Sequence, residues 1–163
     1  MFPQNLYALA EDLLKTCKAK NLKVTVAESC TGGLVSGLIT AVPVASAIFG
    51  RGFLTYSNQA KGEILGVPAH LFMEHGAVSQ ECALAMAEGA LKNSNANVSI
   101  AVTGIAGPGG ATATKPVGLV HIASARQGFA TQHEEFIFEG DRSEVRMQAV
   151  EAAMKLINKV AAF

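Results

Sequence analysis

The chain has 163 residues, 50% of them hydrophobic, which suits one domain with a buried core and excludes a disordered segment. Thirteen basic and thirteen acidic side chains cancel to a formal net charge of +0, which argues against a nucleic-acid surface, and no apolar stretch is long enough to span a bilayer. The three cysteines, Cys17, Cys30 and Cys82, are odd in number and widely spaced, which argues against a disulfide framework or a Cys-rich zinc site.

The N-terminus, Met1-Phe2-Pro3-Gln4-Asn5, has neither the charged region nor the apolar core of a signal peptide, so a cytoplasmic protein is expected. Residues 4–20 read as a helix, with Leu6, Leu9, Leu13 and Cys17 on one stripe. A strand over 23–28 follows, then a helix over 31–41 stopped by Pro43. Residues 48–56 are extended. Ser57 is placed to cap a short helix over 58–65, with Gly66 ending it. Another short helix fits 68–75, and Ser79 is placed to cap an alanine-rich helix over 80–92. An apolar strand over 97–103 enters a loop of glycine, proline and threonine at 104–116. Strands over 117–125 and 129–138 form an antiparallel hairpin. The last helix runs over 142–160, with Asp141 and Glu144 spaced as a capping box. Early βα alternation followed by a hairpin predicts a three-layer α/β/α fold around a mixed, mostly parallel sheet.

Candidate chemistry begins at Ser29, in Ala27-Glu28-Ser29-Cys30-Thr31-Gly32-Gly33. It closes a strand just before a helix, where α/β folds place ligands and where free backbone N–H groups face anions. A serine there is either a nucleophile or a small polar residue ending the strand. Cys30 is a rival nucleophile, but its side chain should point away from that of Ser29. A serine nucleophile needs a base. Lys61, in Thr55-Tyr56-Ser57-Asn58-Gln59-Ala60-Lys61, serves if burial or nearby positive charge lowers its pKa; otherwise it is an exposed helical lysine. Tyr56 either contacts substrate or packs on the strand. The loop Thr103-Gly104-Ile105-Ala106-Gly107-Pro108-Gly109-Gly110 permits close backbone approach to a ligand, yet is neither a Walker A loop nor a dinucleotide fingerprint. Arg142 and Arg146, four apart at a helix start, either clamp a phosphate or pair with Glu139 or Glu144. His70, His75, His121 and His133 give no metal-ligand spacing, so neither a metal nor a Ser-His triad is expected.

These motifs, with Lys115-Pro116-Val117-Gly118 and Gly140-Asp141-Arg142, occur in an order that resembles the CinA C-terminal domain family across nearly the whole chain. The enzymatically active members of that family are nicotinamide-nucleotide amidohydrolases of the PncC type. The resemblance implies a stand-alone copy of the domain. It implies hydrolysis of nicotinamide mononucleotide to nicotinate mononucleotide and ammonia, without a cofactor, in pyridine nucleotide recycling. Carried across the matching motifs, Ser29 is the nucleophile, Lys61 the base and Tyr56 their neighbour in the site. Thr31, Gly32 and Gly33 supply backbone donors. Thr103, Gly104, Gly107, Gly109, Gly110 and Arg142 hold the nucleotide, Arg142 near its phosphate. Ala111 departs from the pattern, since many members carry a third glycine there. The implied partner is a small nucleotide, with no nucleic acid or membrane, and the apolar composition is compatible with a homodimer. The competing expectation is a non-catalytic nucleotide-binding or regulatory module linked to competence or DNA damage.

Overall fold

Val24–Glu28 forms a strand, β1, in which every residue is buried, as a near-continuous apolar run at the centre of a sheet should be. The computed structural model describes residues 1–163. In chain order α1 (Gln4–Ala19) precedes β1, and α2 (Leu34–Ala41), β2 (Phe49–Leu54), α3 (Asn58–Leu65), α4 (Ala69–Glu74) and α5 (Gln80–Lys92) follow it. Next come β3 (Val98–Gly104), β4 (Leu119–Arg126), β5 (Gln132–Ile137) and α6 (Arg142–Ala161). The strands lie in the order β2-β1-β3-β4-β5. β1 pairs parallel with β2 and β3, whereas β4 runs antiparallel to β3 and to β5. Only β4 is therefore reversed, which gives the mixed, mostly parallel sheet expected from the sequence.

Helices cover both faces. The larger core packs Leu6, Leu13 and Cys17 of α1, Val35 and Leu38 of α2, and Val145, Val150 and Ile157 of α6 against Val24, Val26, Ile100, Val102 and Ile122. The smaller core lies on the opposite face and is built from small residues. Cys82, Ala83, Met86, Ala87 and Ala90 of α5 meet Ala27, Ala101, Ala123 and Ala125. Alanine on both surfaces brings α5 close to the sheet. Strand alternation then sets the faces: Ala27 looks toward α5, Glu28 toward α2, and Ser29 toward α5 again.

Several predicted boundaries coincide with the observed ones, because local caps decide them. The Ser57 hydroxyl accepts from the Ala60 N–H, the Ser79 hydroxyl from the Cys82 N–H, and Asp141 with Glu144 forms a complete capping box. The helix expected to begin at residue 31 instead begins at Leu34. Gly32 and Gly33 have φ of +59° and +97°, so residues 29–33 form turns before the helix. The strand expected over 129–138 is confined to Gln132–Ile137, because the Phe129 N–H closes a turn onto the Arg126 carbonyl. No helix is long and apolar enough to cross a membrane.

Candidate active site

Ser29 follows directly on β1, and its Oγ lies 3.1 Å from the Lys61 Nζ. Lys61 sits on α3 and is only 1% exposed, although lysine is rarely buried without a counter-ion. It has no carboxylate within ion-pair distance. Its other contacts are the carbonyls of Thr55 at 2.9 Å and Tyr56 at 3.3 Å. Protonated, the amine donates to all three oxygens; neutral, it keeps N–H groups for the two carbonyls and turns its lone pair to the Ser29 hydroxyl. Desolvation by burial pushes the Lys61 pKa below its ordinary 10.5. The neighbouring thiols Cys30 and Cys82 are themselves pushed up to about 11 by burial, and so stay neutral.

Ser29 and Lys61 open on a cleft of about 230 Å³, lined also by Cys30, Tyr56, Asn58, Ala77, Val78, Thr103, Gly104, Ala106 and Arg142. It lies at the carboxyl ends of β1 and β3, the usual ligand position in an open α/β sheet. Roomier depressions exist, such as one of about 460 Å³ between β5 and α6, but that one contains no paired nucleophile and base. Arg142 stands exposed at the cleft, donating to the Gly107 carbonyl at 2.8 Å and the Tyr56 hydroxyl at 3.1 Å. The Thr103 hydroxyl donates to the Ala77 carbonyl at 2.9 Å and so ties the segment before α5 to the end of β3. Cys30, although it borders the cleft, is buried in the core on the α2 and α6 side.

Other predicted positions stand elsewhere. The Gly32 N–H donates to the Ser29 carbonyl and the Gly33 N–H to Glu28 Oε2, so neither is free for a substrate. That corrects the expected donor role of these two glycines. The backbone N–H groups of Cys30 and Thr31 are the ones with no acceptor in the protein. Gly109 and Gly110 are exposed in the outer part of their loop and do not line the cleft. Gly107 acts through its carbonyl on Arg142, and a Cβ there would come within 2.5 Å of Val117. Ala111 is exposed and is not among the residues of positive φ, so its methyl group needs no glycine's freedom. Arg146 is not a second phosphate clamp; its Nε and Nη2 donate to the carbonyls of Cys30 and Thr31.

Sequence reasoning gave no role to Ala77, Val78, Asn58 or Glu28. Residues 77 and 78 precede the Ser79 cap of α5, and that helix start was the available signal. Glu28 is 1% exposed and accepts five hydrogen bonds, from the hydroxyls of Thr31 and Ser36 and the N–H groups of Gly33, Val35 and Ser36. A carboxylate at a helix N-terminus satisfies donors that have no intrahelical partner.

The model of the CinA C-terminal domain matches residues 6–161. The chain belongs to the CinA C-terminal domain family. It is 49% identical over 135 residues to a CinA-like protein of Akkermansia muciniphila, covering 83% of this chain and 33% of that protein. A CinA-like protein of Anaeromyxobacter sp. strain K is 44% identical over 157 residues, covering 96% of this chain and 38% of that one. The chain thus spans little more than a third of the length of these curated relatives. Among solved structures, the competence/damage inducible protein CihA from Agrobacterium tumefaciens superposes with a TM-score of 0.96 at 43% identity, covering 98% of each chain. A CinA superfamily protein from Klebsiella pneumoniae 700603 superposes at 0.92 with 33% identity, over 98% of this chain and 99% of that one.

Proposed function

We propose that this CinA-family domain is a Ser/Lys amidohydrolase acting on nicotinamide mononucleotide, releasing nicotinate mononucleotide and ammonia. The observation that carries the reading is the buried Lys61 amine, without a carboxylate partner, 3.1 Å from the Ser29 hydroxyl. A general base must lie within hydrogen-bond reach and have its lone pair available near neutral pH, and desolvation acts in that direction.

In this mechanism Lys61 takes the Ser29 proton as Oγ attacks the carboxamide carbon. The free N–H of Cys30, a residue lining the cleft, donates to the oxyanion, a contribution of roughly 3–4 kcal/mol for a well-placed donor. The C–N bond breaks, protonated Lys61 gives its proton to the departing ammonia, and water then hydrolyses the acyl-enzyme. Arg142, charged and exposed beside the cleft, suits the nucleotide phosphate. Tyr56 positions both ends of the site, Lys61 through its carbonyl and Arg142 through its hydroxyl. The family resemblance supplies the substrate; the Ser29–Lys61 geometry supplies the chemistry.

Ammonia release from nicotinamide mononucleotide by the purified chain, with Ser29→Ala beside it, tests the reading. The wild type releases ammonia, and Ser29→Ala loses turnover while keeping its fold. Unchanged turnover in Ser29→Ala sinks the nucleophile assignment. A folded wild type that binds the nucleotide but releases nothing favours the regulatory-module reading.

A further inference from the structure

The turn that carries Ser29 is gripped from a distant helix. Arg146 lies in the second turn of α6, half-buried, and its guanidinium reaches residues 30 and 31 with two hydrogen bonds of 3.0 and 3.1 Å. Two N–H groups of one planar fork fix two successive carbonyls. Gly32 makes room for this contact, since a Cβ there would stand 2.9 Å from Arg146 Nη2. Arg146 forms no ion pair, so its charge is spent on peptide dipoles alone.

A trans peptide unit is planar, with its C=O and N–H antiparallel. Holding the Cys30 carbonyl therefore aims the Thr31 N–H the opposite way, away from Arg146. That N–H is one of the two in the turn without an acceptor. The other, on Cys30, belongs to the peptide whose Ser29 carbonyl is held by the Gly32 N–H, and the orientation of Gly32 in turn depends on the Thr31 carbonyl that Arg146 also holds. Glu28 restrains the same segment through the Thr31 hydroxyl and the Gly33 N–H.

We infer that Arg146 is a positioning residue for catalysis, which holds the peptide units after Ser29 so that the Cys30 N–H, at the cleft, serves as the oxyanion donor. Arg146 touches neither substrate nor the reacting atoms; it acts through the backbone. The inference rests on the Ser29 amidohydrolase reading for its substrate, but not for its geometry. Any electrophile that Ser29 attacks, with charge developing on oxygen, meets the same donor.

Two readouts on the folded protein test it. The first is kcat and KM for nicotinamide mononucleotide. The second is the rate at which a fluorophosphonate labels Ser29, followed by intact mass; Oγ bonds to phosphorus, fluoride leaves, and the serine proton passes to Lys61. Arg146→Ala is expected to lower kcat and the labelling rate together, by roughly 10- to 100-fold, with KM changed less than about twofold. Added guanidinium at low millimolar concentration restores part of both rates in Arg146→Ala, because the half-buried site admits it. Should Arg146→Ala fail to fold, Arg146→Lys reads the same effect, since a rotatable ammonium lacks the planar fork that fixes the directions of two successive carbonyls. Unchanged rates in either folded variant overturn the proposal, as does a loss in Arg146→Ala that guanidinium leaves unmoved. A wild type inert toward the nucleotide but labelled at Ser29, with labelling slowed in Arg146→Ala, overturns the substrate reading and leaves the positioning role standing.

Discussion

A solvated lysine near neutral pH carries three N–H groups and no lone pair, and so cannot take the Ser29 proton. Burial suits Lys61 to the proposed role of base by pushing its pKa below 10.5, while the Thr55 and Tyr56 carbonyls hold its amine in place. The sign follows directly: activity falls as the pH drops through the Lys61 pKa, and that limb of kcat/KM lies below the ordinary lysine value. Lys61→Met fills much the same space with no amine, so it should retain the fold and lose turnover at every pH. A pH–rate profile of the wild type, with the variant beside it, checks both statements. Ser29, Lys61, Tyr56 and Arg142 stood out in the sequence because each sits in a motif whose residue types suit one chemistry, and the fold brings all four to one cleft. Glu28 did not, and Arg146 stood out only as a phosphate clamp, not as the holder of two backbone carbonyls. The Arg146 contact to Cys30 spans 116 residues and ends on a carbonyl, so no spacing or residue type at the far end marks it. Glu28 acts on backbone N–H groups, which every sequence supplies.

Among the elements, α3 is the one that delivers Lys61, and its position depends on α5. Gly89 lies inside α5 with the end of α3 directly against it: a Cβ there would stand 2.1 Å from the Leu65 carbonyl oxygen and 3.1 Å from the Leu65 Cβ. Leu65 is one helical turn beyond Lys61. Gly89→Ala gains up to about 1 kcal/mol of helix propensity, but forces two backbones apart. Overpacking of this kind costs about 1–3 kcal/mol, and rigid backbone on the far side places it at the upper end. A net loss of about 2 kcal/mol is expected, read as a lower urea midpoint at unchanged slope. A midpoint at or above that of the wild type would show that α3 shifts freely. The ends of α3 and α5 were legible because Ser57, Gly66 and Ser79 act on neighbours within a few residues. The close approach at Gly89 was not, because an interior helical glycine looks the same whether it faces solvent or a second backbone.

For the whole molecule, the layer order and strand directions follow from the alternation of elements, yet two histidines couple its stability to pH in a way that their spacing conceals. His121 on β4 and His133 on β5 stack with centroids 5.2 Å apart, and Nδ1 of the first meets Nε2 of the second at 3.0 Å. One ring donates and the other accepts, so the contact needs a lone pair that full protonation removes. Burial comes first among the causes that push both pKa values below the ordinary 6.5; Glu135 and Glu81 oppose the shift at both rings, Glu134 opposes it at His133, and Lys115 adds to it at His121. The unfolded chain takes up protons near 6.5, before the folded pair does, so it binds more protons in the window below that value. Stability therefore falls as the pH drops from about 6.5 to the lowered folded values, and levels off once the folded pair is protonated. The melting temperature should decline between about pH 7 and pH 5, and decline less in His133→Gln, which leaves one histidine and an amide that does not titrate. Equal slopes in calorimetry for wild type and variant would assign the acid sensitivity to other groups. Because His121 stands opposite Thr103 across the β3–β4 ladder, and the Thr103 hydroxyl fixes the Ala77 carbonyl beside the cleft, the same protonation should loosen the cleft wall before the molecule as a whole unfolds.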